Sequence, residues 1–459
     1  MAQQVKMDWL LFWTILALTG CGLVMVYSAS SMAQELRATP LAKTEPHSVD
    51  EADIEPARSP EQPPRWPMKR VGAAVAGLAA LILIARRYRA GVIAMGWALA
   101  GIGAISFLQL LAYWMEADRS PHYGLLLRQA GAALLGFVLL MLIGKGDYRK
   151  LGSPRWAFAG LSVIIFLLIL VYFFGRQRRW LDLGVSVQPS EFAKPALVVF
   201  LAWFVTIRSQ SINHPHTVWP ATLALVALAG GVVVADFGTA IVLVATAAAV
   251  FYLAGLNCRY IVGALAMGTL LLTAALIQKP HRIKRILDFV DKDYKYLSLV
   301  DPQRKLLTRL EGNTQISDTT YQATQSRIAI GAGGMWGRGL MRSRQKLLFL
   351  PEAHTDFIYA ILAEEAGLWG SALILAGFLV VLWRGYALFY TAPDEFGKYL
   401  AVGVTTTLVF QALLNMSVVL DLGPTKGIPL PLISFGGSSM LSSMISLGLL
   451  LSVSKRSAA

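Results

Sequence analysis

Apolar runs of about 20 residues recur along this chain, and this is the length that an α-helix needs to cross a bilayer. In lipid every backbone polar group must find a hydrogen-bond partner, and a helix supplies that partner within its own segment. Only 15% of the 459 residues are charged, whereas a soluble domain carries about 25%. The sequence therefore predicts an all-α polytopic membrane protein.

The apolar runs define about twelve predicted membrane spans. Their ranges are 9–28, 68–85, 91–115, 126–143, 156–174, 192–207, 218–235, 239–256, 260–277, 357–382, 399–420 and 434–453. Arginine and lysine cluster in alternate connections, as the positive-inside bias requires if both termini are cytoplasmic. A polar linker at 31–67 and a large loop at about 279–355 then lie outside the cell.

The net charge of +14 is larger than a positive-inside bias explains. Much of the excess lies between Lys279 and Lys346, in the loop that we place outside. The chain has no compact basic domain, so nucleic acid is not expected as a partner. Membrane lipid with anionic headgroups, or a lipid carrying a diphosphate, fits this charge better.

The segment from Arg344 to Gly367 joins this loop to an apolar helix and concentrates ionisable residues. Asp356 stands just before the helix and has two interpretations that the residues alone leave open. It could cap the helix N-terminus, or it could act as a general base whose pKa burial raises from about 3.9. Glu364 and Glu365 lie deeper in the helix, where carboxylates are functional or internally paired, and we favour pairing.

Other outer segments carry further candidates. Glu191 and Lys194 are spaced to pair on one helix face, and such a pair at a membrane helix mouth indicates a polar cavity. Residues 236–239 predict a tight structural turn. The glycine-rich stretch 331–339 fits either a phosphate cradle or a turn that needs close backbone approach.

Several motifs, taken together and in order, resemble the SEDS family (shape, elongation, division and sporulation). They are Arg-Arg-Trp with Gln-Pro-Ser-Glu-x-x-Lys (178–194), Asp-x-Gly-Thr (236–239), Leu-Pro-Glu-Ala-His-Thr-Asp-Phe (350–357) and Pro-Thr-Lys-Gly through Ser-Phe-Gly-Gly-Ser-Ser (424–439). Met-Val-Tyr-Ser-Ala-Ser at 25–30 is similar to the opening helix of the family. The motifs look more like the division member than the elongation member.

The resemblance implies a peptidoglycan glycosyltransferase that polymerises lipid II into glycan strands on the outer face of the bacterial cell membrane. Asp356 corresponds to the catalytic aspartate of the family, and Glu191 with Lys194 corresponds to its cavity salt bridge. The expected partners are lipid II, the nascent strand, a class B penicillin-binding protein (a transpeptidase) and other division proteins. A divalent cation, Mg²⁺ or Mn²⁺, is expected, and an organic cofactor is not.

The lipid diphosphate is already stable as an anion, so we expect cations and donors around it instead of an acid. The candidate substrate or diphosphate contacts are Arg179, Glu191, Lys194, Ser343, Arg344, Gln345, Lys346, His354, Lys426 and Ser434.

The resemblance covers about 1–30 and 124–455, so the intervening stretch is interpreted as an insertion. We expect ten spans like those of the family and two inserted ones, about twelve in all. The expected parts are a first transmembrane helix (1–30), a polar extracytoplasmic linker (31–67), an inserted pair of transmembrane helices (68–120), core helices (121–278), a large catalytic extracytoplasmic loop (279–355) and three C-terminal core helices (356–459).

Three other function classes stay open at this point. A lipid II flippase would also need a cationic cavity, although its charges should line a path across the bilayer. Another ligase of lipid-linked sugars would share the chemistry. A non-catalytic division scaffold predicts that Asp356 is dispensable.

Overall fold

The structure, a computed structural model, describes residues 8–38, 124–176, 179–182, 186–264, 266, 268, 317–347, 349–423 and 427–457. Within these residues it contains ten long α-helices and one two-stranded antiparallel sheet. The helices are α1 (Trp9–Ala38), α2 (Gly124–Lys145), α3 (Pro154–Phe174), α4 (Pro189–Arg208), α5 (Pro215–Ala235), α6 (Phe237–Leu253), α7 (Ser317–Gly333), α8 (Ile358–Thr391), α9 (Glu395–Val419) and α10 (Gly437–Ser454). The strands, β1 (Leu181–Asp182) and β2 (Ser186–Val187), immediately precede α4.

Seven helices of the described part of the chain are long and apolar enough to cross a membrane. They are α1, α2, α3, α4, α8, α9 and α10, while α6 and part of α5 form shorter apolar helices. The predicted all-α membrane architecture is therefore confirmed. The predicted spans at 68–85 and 91–115, and most of 260–277, lie outside the described residues, so the total of twelve spans stays a prediction.

Several predicted span ends differ from the ends of the described helices, and the contacts explain two of these differences. Helix α8 runs to Thr391 and not to 382. Arg384 does not end the helix, because its Nε donates to the Asp8 carboxylate at 2.7 Å. Helix α10 begins at Gly437 and not at 434. The residues before it form a turn in which Leu432 has a φ of 65°.

The helix starts follow ordinary capping chemistry. Helices α3, α4 and α5 each begin at a proline, whose missing N–H costs nothing in the first turn. The Asp236 carboxylate caps α6 by accepting from the N–H groups of Gly238 and Thr239. The predicted structural turn at 236–239 is therefore confirmed.

Close helix contacts in lipid depend on small residues, because the hydrophobic effect does not drive helices together there. Helix α2 packs along α10, where Gly136 faces Met444 and Gly448 faces the α2 backbone. Helix α1 packs against α2 and α8, and its Gly22 lies on the backbone of Leu432 and Ile433. The helix that precedes the predicted insertion is thus part of the bundle.

A kink divides α8 at Gly367, whose φ of 67° and ψ of −162° are not helical. There the chain touches the glycine-rich stretch: a Cβ on Gly367 would collide with the Gly337 amide and the Met335 carbonyl. Gly337 has a φ of 76°, and its own Cβ would collide with the Glu365 carbonyl. These contacts support the interpretation of 331–339 as a turn that needs close backbone approach.

Ionic contacts mark one end of the bundle. Arg384 pairs with Asp8, the Tyr148 hydroxyl donates to Asp394 at 2.5 Å, and Arg456 Nε lies 3.3 Å from Asp147. Both ends of the described chain therefore lie at this end of the bundle. Burial, followed by the bond to Asp394, raises the pKa of Tyr148 to about 12, so its hydroxyl keeps its proton. The carboxylates predicted to be functional lie at the opposite end.

Candidate functional site

Asp356 lies in a tight turn that connects the loop after α7 to α8. The carbonyl of Glu352, whose backbone has a φ of 55°, accepts from the N–H groups of Thr355 at 3.1 Å and Phe357 at 3.3 Å. The Thr355 hydroxyl donates to the Glu352 carboxylate at 2.7 Å. Phe357 is the N-cap residue of α8 and makes no side-chain cap. The helix-cap interpretation of Asp356 is therefore wrong.

The carboxylate of Asp356 faces the segment that begins at Gly427, which we call the wall. One carboxylate oxygen lies against the Cα of Gly427, where any side chain would collide with it. The side chain keeps part of its surface exposed, and among the described residues none donates a hydrogen bond to its carboxylate. As far as the described residues show, the carboxylate can therefore still accept a hydrogen bond from a substrate.

The surroundings of this carboxyl group tune its proton affinity. Burial raises the pKa of Asp356 from 3.8 to about 7, Arg179 opposes the rise, and the charges of Glu352, Asp236 and Glu191 add to it. Near neutral pH, a carboxyl group with this pKa is ionised in a large fraction of the molecules, and its carboxylate still has a high affinity for a proton. A general base works best in this range.

Arg179 is held beside this site by Asp236. Its guanidinium lies 3.6 Å from the Asp236 carboxylate, which also accepts from the side chains of Gln188 and Thr239. One third of the Arg179 side chain is exposed, and its buried Nε has no partner among the described residues. Arg179 thus retains hydrogen-bonding capacity next to Asp356.

Glu191 and Lys194 form the predicted ion pair at the start of α4. Their charged atoms are 2.6 Å apart, and the side chains are only 1% and 3% exposed. Lys194 also donates to the Gln411 carbonyl oxygen at 2.7 Å, while Glu191 Oε1 has no partner within the described residues. A buried pair with one unsatisfied oxygen fits the polar cavity that the sequence indicated.

A second buried ion pair holds the loop between α7 and α8 against α1 and α8. Lys346 Nζ lies 2.8 Å from Glu365 Oε1, and both side chains are 0% exposed. The Ser28 hydroxyl, on α1, donates to Glu365 at 2.7 Å and accepts from Lys346 at 3.1 Å. The ammonium of Lys346 is therefore engaged inside the protein.

Glu364 binds the backbone of the same loop. Its carboxylate accepts from the N–H groups of Arg344 at 3.0 Å and Gln345 at 3.2 Å and from the Ser343 hydroxyl, and Arg338 lies 3.6 Å away. The interpretation of Glu364 and Glu365 as internally paired is confirmed. Of the loop candidates, only Arg344 presents an exposed side chain.

Two further candidates lie around the Asp356 turn. The Ser434 hydroxyl donates to the Thr355 carbonyl at 2.6 Å, and the His354 ring packs 5.8 Å from that of Phe435. Gln345 is buried beside Lys346. Lys426 lies outside the described residues.

Two residues that contact this site were missed by the sequence reasoning. Asn415 and Gln411, on α9, bind the Asp356 turn, the segment at 428–429 and Lys194. Their signal was two carboxamides four residues apart within an apolar run, where polar side chains are costly.

The described helices form an apolar bundle with buried ion pairs and, at one end, a carboxyl group with a raised pKa. These features define a polytopic membrane protein with a polar site at one membrane face. A family model described as "Cell cycle protein", for FtsW, RodA and SpoVE, matches residues 90–459. This chain belongs to that family, and the sequence resemblance is confirmed.

Curated relatives agree with this assignment. The chain is 33% identical over 365 residues to Stage V sporulation protein E of Bacillus subtilis, covering 78% of this chain and 94% of that one. It is 32% identical over 379 residues to the Probable peptidoglycan glycosyltransferase FtsW of Geobacter metallireducens, covering 81% and 95%.

A solved structure is similar as well. Its title is "Structural coordination of polymerization and crosslinking by a peptidoglycan synthase complex". The TM-score is 0.57 at 26% identity, over 78% of this chain and 97% of that chain.

Proposed function

We propose that this chain is a peptidoglycan glycosyltransferase of cell division that polymerises lipid II, with Asp356 as the general base. The observation that carries the proposal is the Asp356 carboxylate itself. It is free of protein hydrogen bonds among the described residues, its pKa is raised to about 7, and the charge of Arg179 acts on it. The family assignment and the names of the relatives support the reaction class.

In the proposed reaction, Asp356 removes the proton from the 4-hydroxyl of the acceptor sugar. That oxygen attacks the anomeric carbon of the donor and forms the new glycosidic bond with inversion. The bond from the anomeric carbon to the lipid diphosphate breaks, and the diphosphate leaves with the electron pair. Since this leaving group is already a stable anion, it needs cations and not the second carboxylic acid of a glycosidase.

The cations that we assign to the diphosphate are Arg179 and Arg344, with Lys426 as the sequence predicts. The buried Nε of Arg179 has no hydrogen-bond partner in the part of the chain that the structure describes, and Arg344 is exposed. Lys346 is left out of this set because its ammonium is buried against Glu365.

A divalent cation is expected from the resemblance. Among the described residues, no group of three or more His, Cys, Asp and Glu side chains could hold a metal ion. We therefore assign no step to a divalent cation, and Mg²⁺ or Mn²⁺ stays a prediction.

The membrane orientation follows from the two ends of the bundle. The end that carries Lys145, Arg149, Arg384 and Arg456 is basic, and the positive-inside bias supports a cytoplasmic location for it and for both termini. Asp356 then faces the outer surface, where lipid II would meet it.

A class B penicillin-binding protein is the proposed partner. The similar solved chain comes from a complex that, by its title, coordinates polymerization and crosslinking. A transpeptidase would crosslink the strands that this chain makes.

The test uses purified full-length protein, lipid II and a candidate transpeptidase, with the products separated by length. The wild type should form polymer and Asp356→Asn should not. Polymer from Asp356→Asn would rule out the base assignment. Translocation of lipid II without polymer would favour the flippase, and recruitment of division proteins by inactive wild type would favour the scaffold.

A further inference from the structure

Two carboxamide side chains on α9 connect the parts of the candidate site. Gln411 and Asn415 are one helical turn apart and only 2% and 1% exposed. The Asn415 amide donates to the Asp356 carbonyl at 2.8 Å and to the Ile428 carbonyl at 2.7 Å. One side chain thus fixes the main chain of the proposed base against the segment that follows Lys426.

Gln411 extends this connection by one turn. Its amide donates to the Pro429 carbonyl at 2.8 Å, and its carbonyl oxygen accepts from Lys194 at 2.7 Å. Lys194 is in turn paired with Glu191. The segment at 428–429 is therefore held at two successive carbonyls by one helix, which also holds the buried ion pair.

This geometry determines where the Asp356 carboxylate lies. The carboxylate rests on Gly427, directly before the two tethered carbonyls, while Asn415 tethers the other side of the same contact. If the two bonds of Asn415 are lost, the Asp356 turn and its wall can separate. A shift of about 1 Å is enough to cost about 100-fold in a well-aligned reaction.

We propose that Asn415 and Gln411 are positioning residues for the transfer reaction, which hold Asp356 against the 427–429 segment and in register with the Glu191–Lys194 pair. This inference rests on the proposed function. Both residues act through Asp356 and Lys194. A purely structural role predicts lost stability alone, whereas a positioning role predicts lost turnover and an altered pH dependence.

The experiment compares Asn415→Leu and Gln411→Leu with Thr407→Val in the full-length protein. Leucine nearly conserves the size of asparagine and removes its donors. Thr407 provides a matched control, since it is also buried on α9 and bonds Gly403 and Thr246 away from Asp356. Melting temperature, kcat, KM for lipid II and the pH dependence of kcat are measured for each variant.

We expect Asn415→Leu to lower kcat by about 100-fold with KM nearly unchanged. The acidic limb in the pH dependence of kcat should move to lower pH in this variant, because Asp356 becomes hydrated when it is no longer held in place. Among the described residues, the charged groups that act on Asp356 are Glu352, Arg179, Asp236 and Glu191, and His354 lies in the same turn. They are unchanged in this variant, so the shift reports hydration. Gln411→Leu should lower kcat less, and Thr407→Val should lower only the melting temperature.

The inference is overturned if Asn415→Leu keeps wild-type kcat. It is also overturned if Asn415→Leu and Thr407→Val, at equal stability, lose the same amount of kcat and have the same acidic limb in the pH dependence of kcat. Asn415→Asp keeps the inference testable if the leucine variant does not fold. Its protonated carboxyl can donate to one carbonyl, so its activity should fall as that carboxyl ionises, and a wild-type pH profile would contradict positioning. Inactive wild type or active Asp356→Asn would instead refute the proposed function.

Discussion

Removing the ammonium of Lys346 should be among the most damaging single changes outside the base itself. In Lys346→Met the chain of apolar carbons is retained, while the charge that faces Glu365 at 2.8 Å is lost. Both side chains are 0% exposed, so water cannot replace the missing partner. Among the described residues, the Glu365 carboxylate would keep the Ser28 hydroxyl and the Ser343 amide as its donors.

The magnitude follows from this burial. Breaking a buried pair by removing one partner costs about 3–5 kcal/mol, because an uncompensated charge stays inside. Replacing both partners, in Lys346→Met with Glu365→Gln, removes that charge and should recover most of the loss. Lys398→Met is the matched control, since Lys398 pairs with Glu395 at 2.7 Å but the side chains are 31% and 48% exposed. An exposed pair contributes about 0–1 kcal/mol.

The assay is equilibrium unfolding in detergent micelles, followed by tryptophan fluorescence, for the wild type and all three variants. The order of stability should be wild type and Lys398→Met together, then the double variant, then Lys346→Met. The reasoning is refuted if Lys346→Met costs no more than Lys398→Met, or if the double variant is no more stable than Lys346→Met.

Three further predictions concern the Asp356 site. Because burial raises the pKa of Asp356 above its ordinary value, its ionisation opposes folding: this effect is absent below pH about 4 and complete above about 7. Asp356→Asn should therefore melt at higher temperature than the wild type above pH 7, but not below pH 4. Arg179→Gln removes the charge that lowers the pKa of Asp356, so the acidic limb of kcat should move to higher pH, and kcat should fall about 10²–10³-fold. Gly427→Ala should abolish polymer because its methyl group collides with the Asp356 carboxylate, while the protein still assembles in the membrane.

Each of these has a contradicting outcome. Equal melting curves for Asp356→Asn and wild type at every pH would show that the carboxyl group is not buried as described. If the acidic limb of kcat lies at the same pH in Arg179→Gln as in the wild type, the charge of Arg179 does not lower the pKa of Asp356. Full activity of Gly427→Ala would mean that the wall and the carboxylate are not in contact during the reaction.

The sequence alone determined the features that depend on local spacing. Apolar runs set the membrane spans, prolines and Asp236 set helix starts, and the three-residue spacing of Glu191 and Lys194 predicted their pair. Helical geometry brings such residues together whatever the rest of the chain does. The motif around Asp356 likewise indicated the reaction class without any coordinates.

Only the tertiary structure decided how these parts meet. Lys346 and Ser28 are 318 residues apart, and Asn415 and Asp356 are 59 apart, yet each pair is joined by a hydrogen bond. Such contacts depend on how helices cross and where α8 kinks, which no local periodicity encodes. The same is true of Asp356: its residue type allowed a cap or a base. The absence of a capping bond, its burial and its contact with Gly427 come from segments far away in the chain.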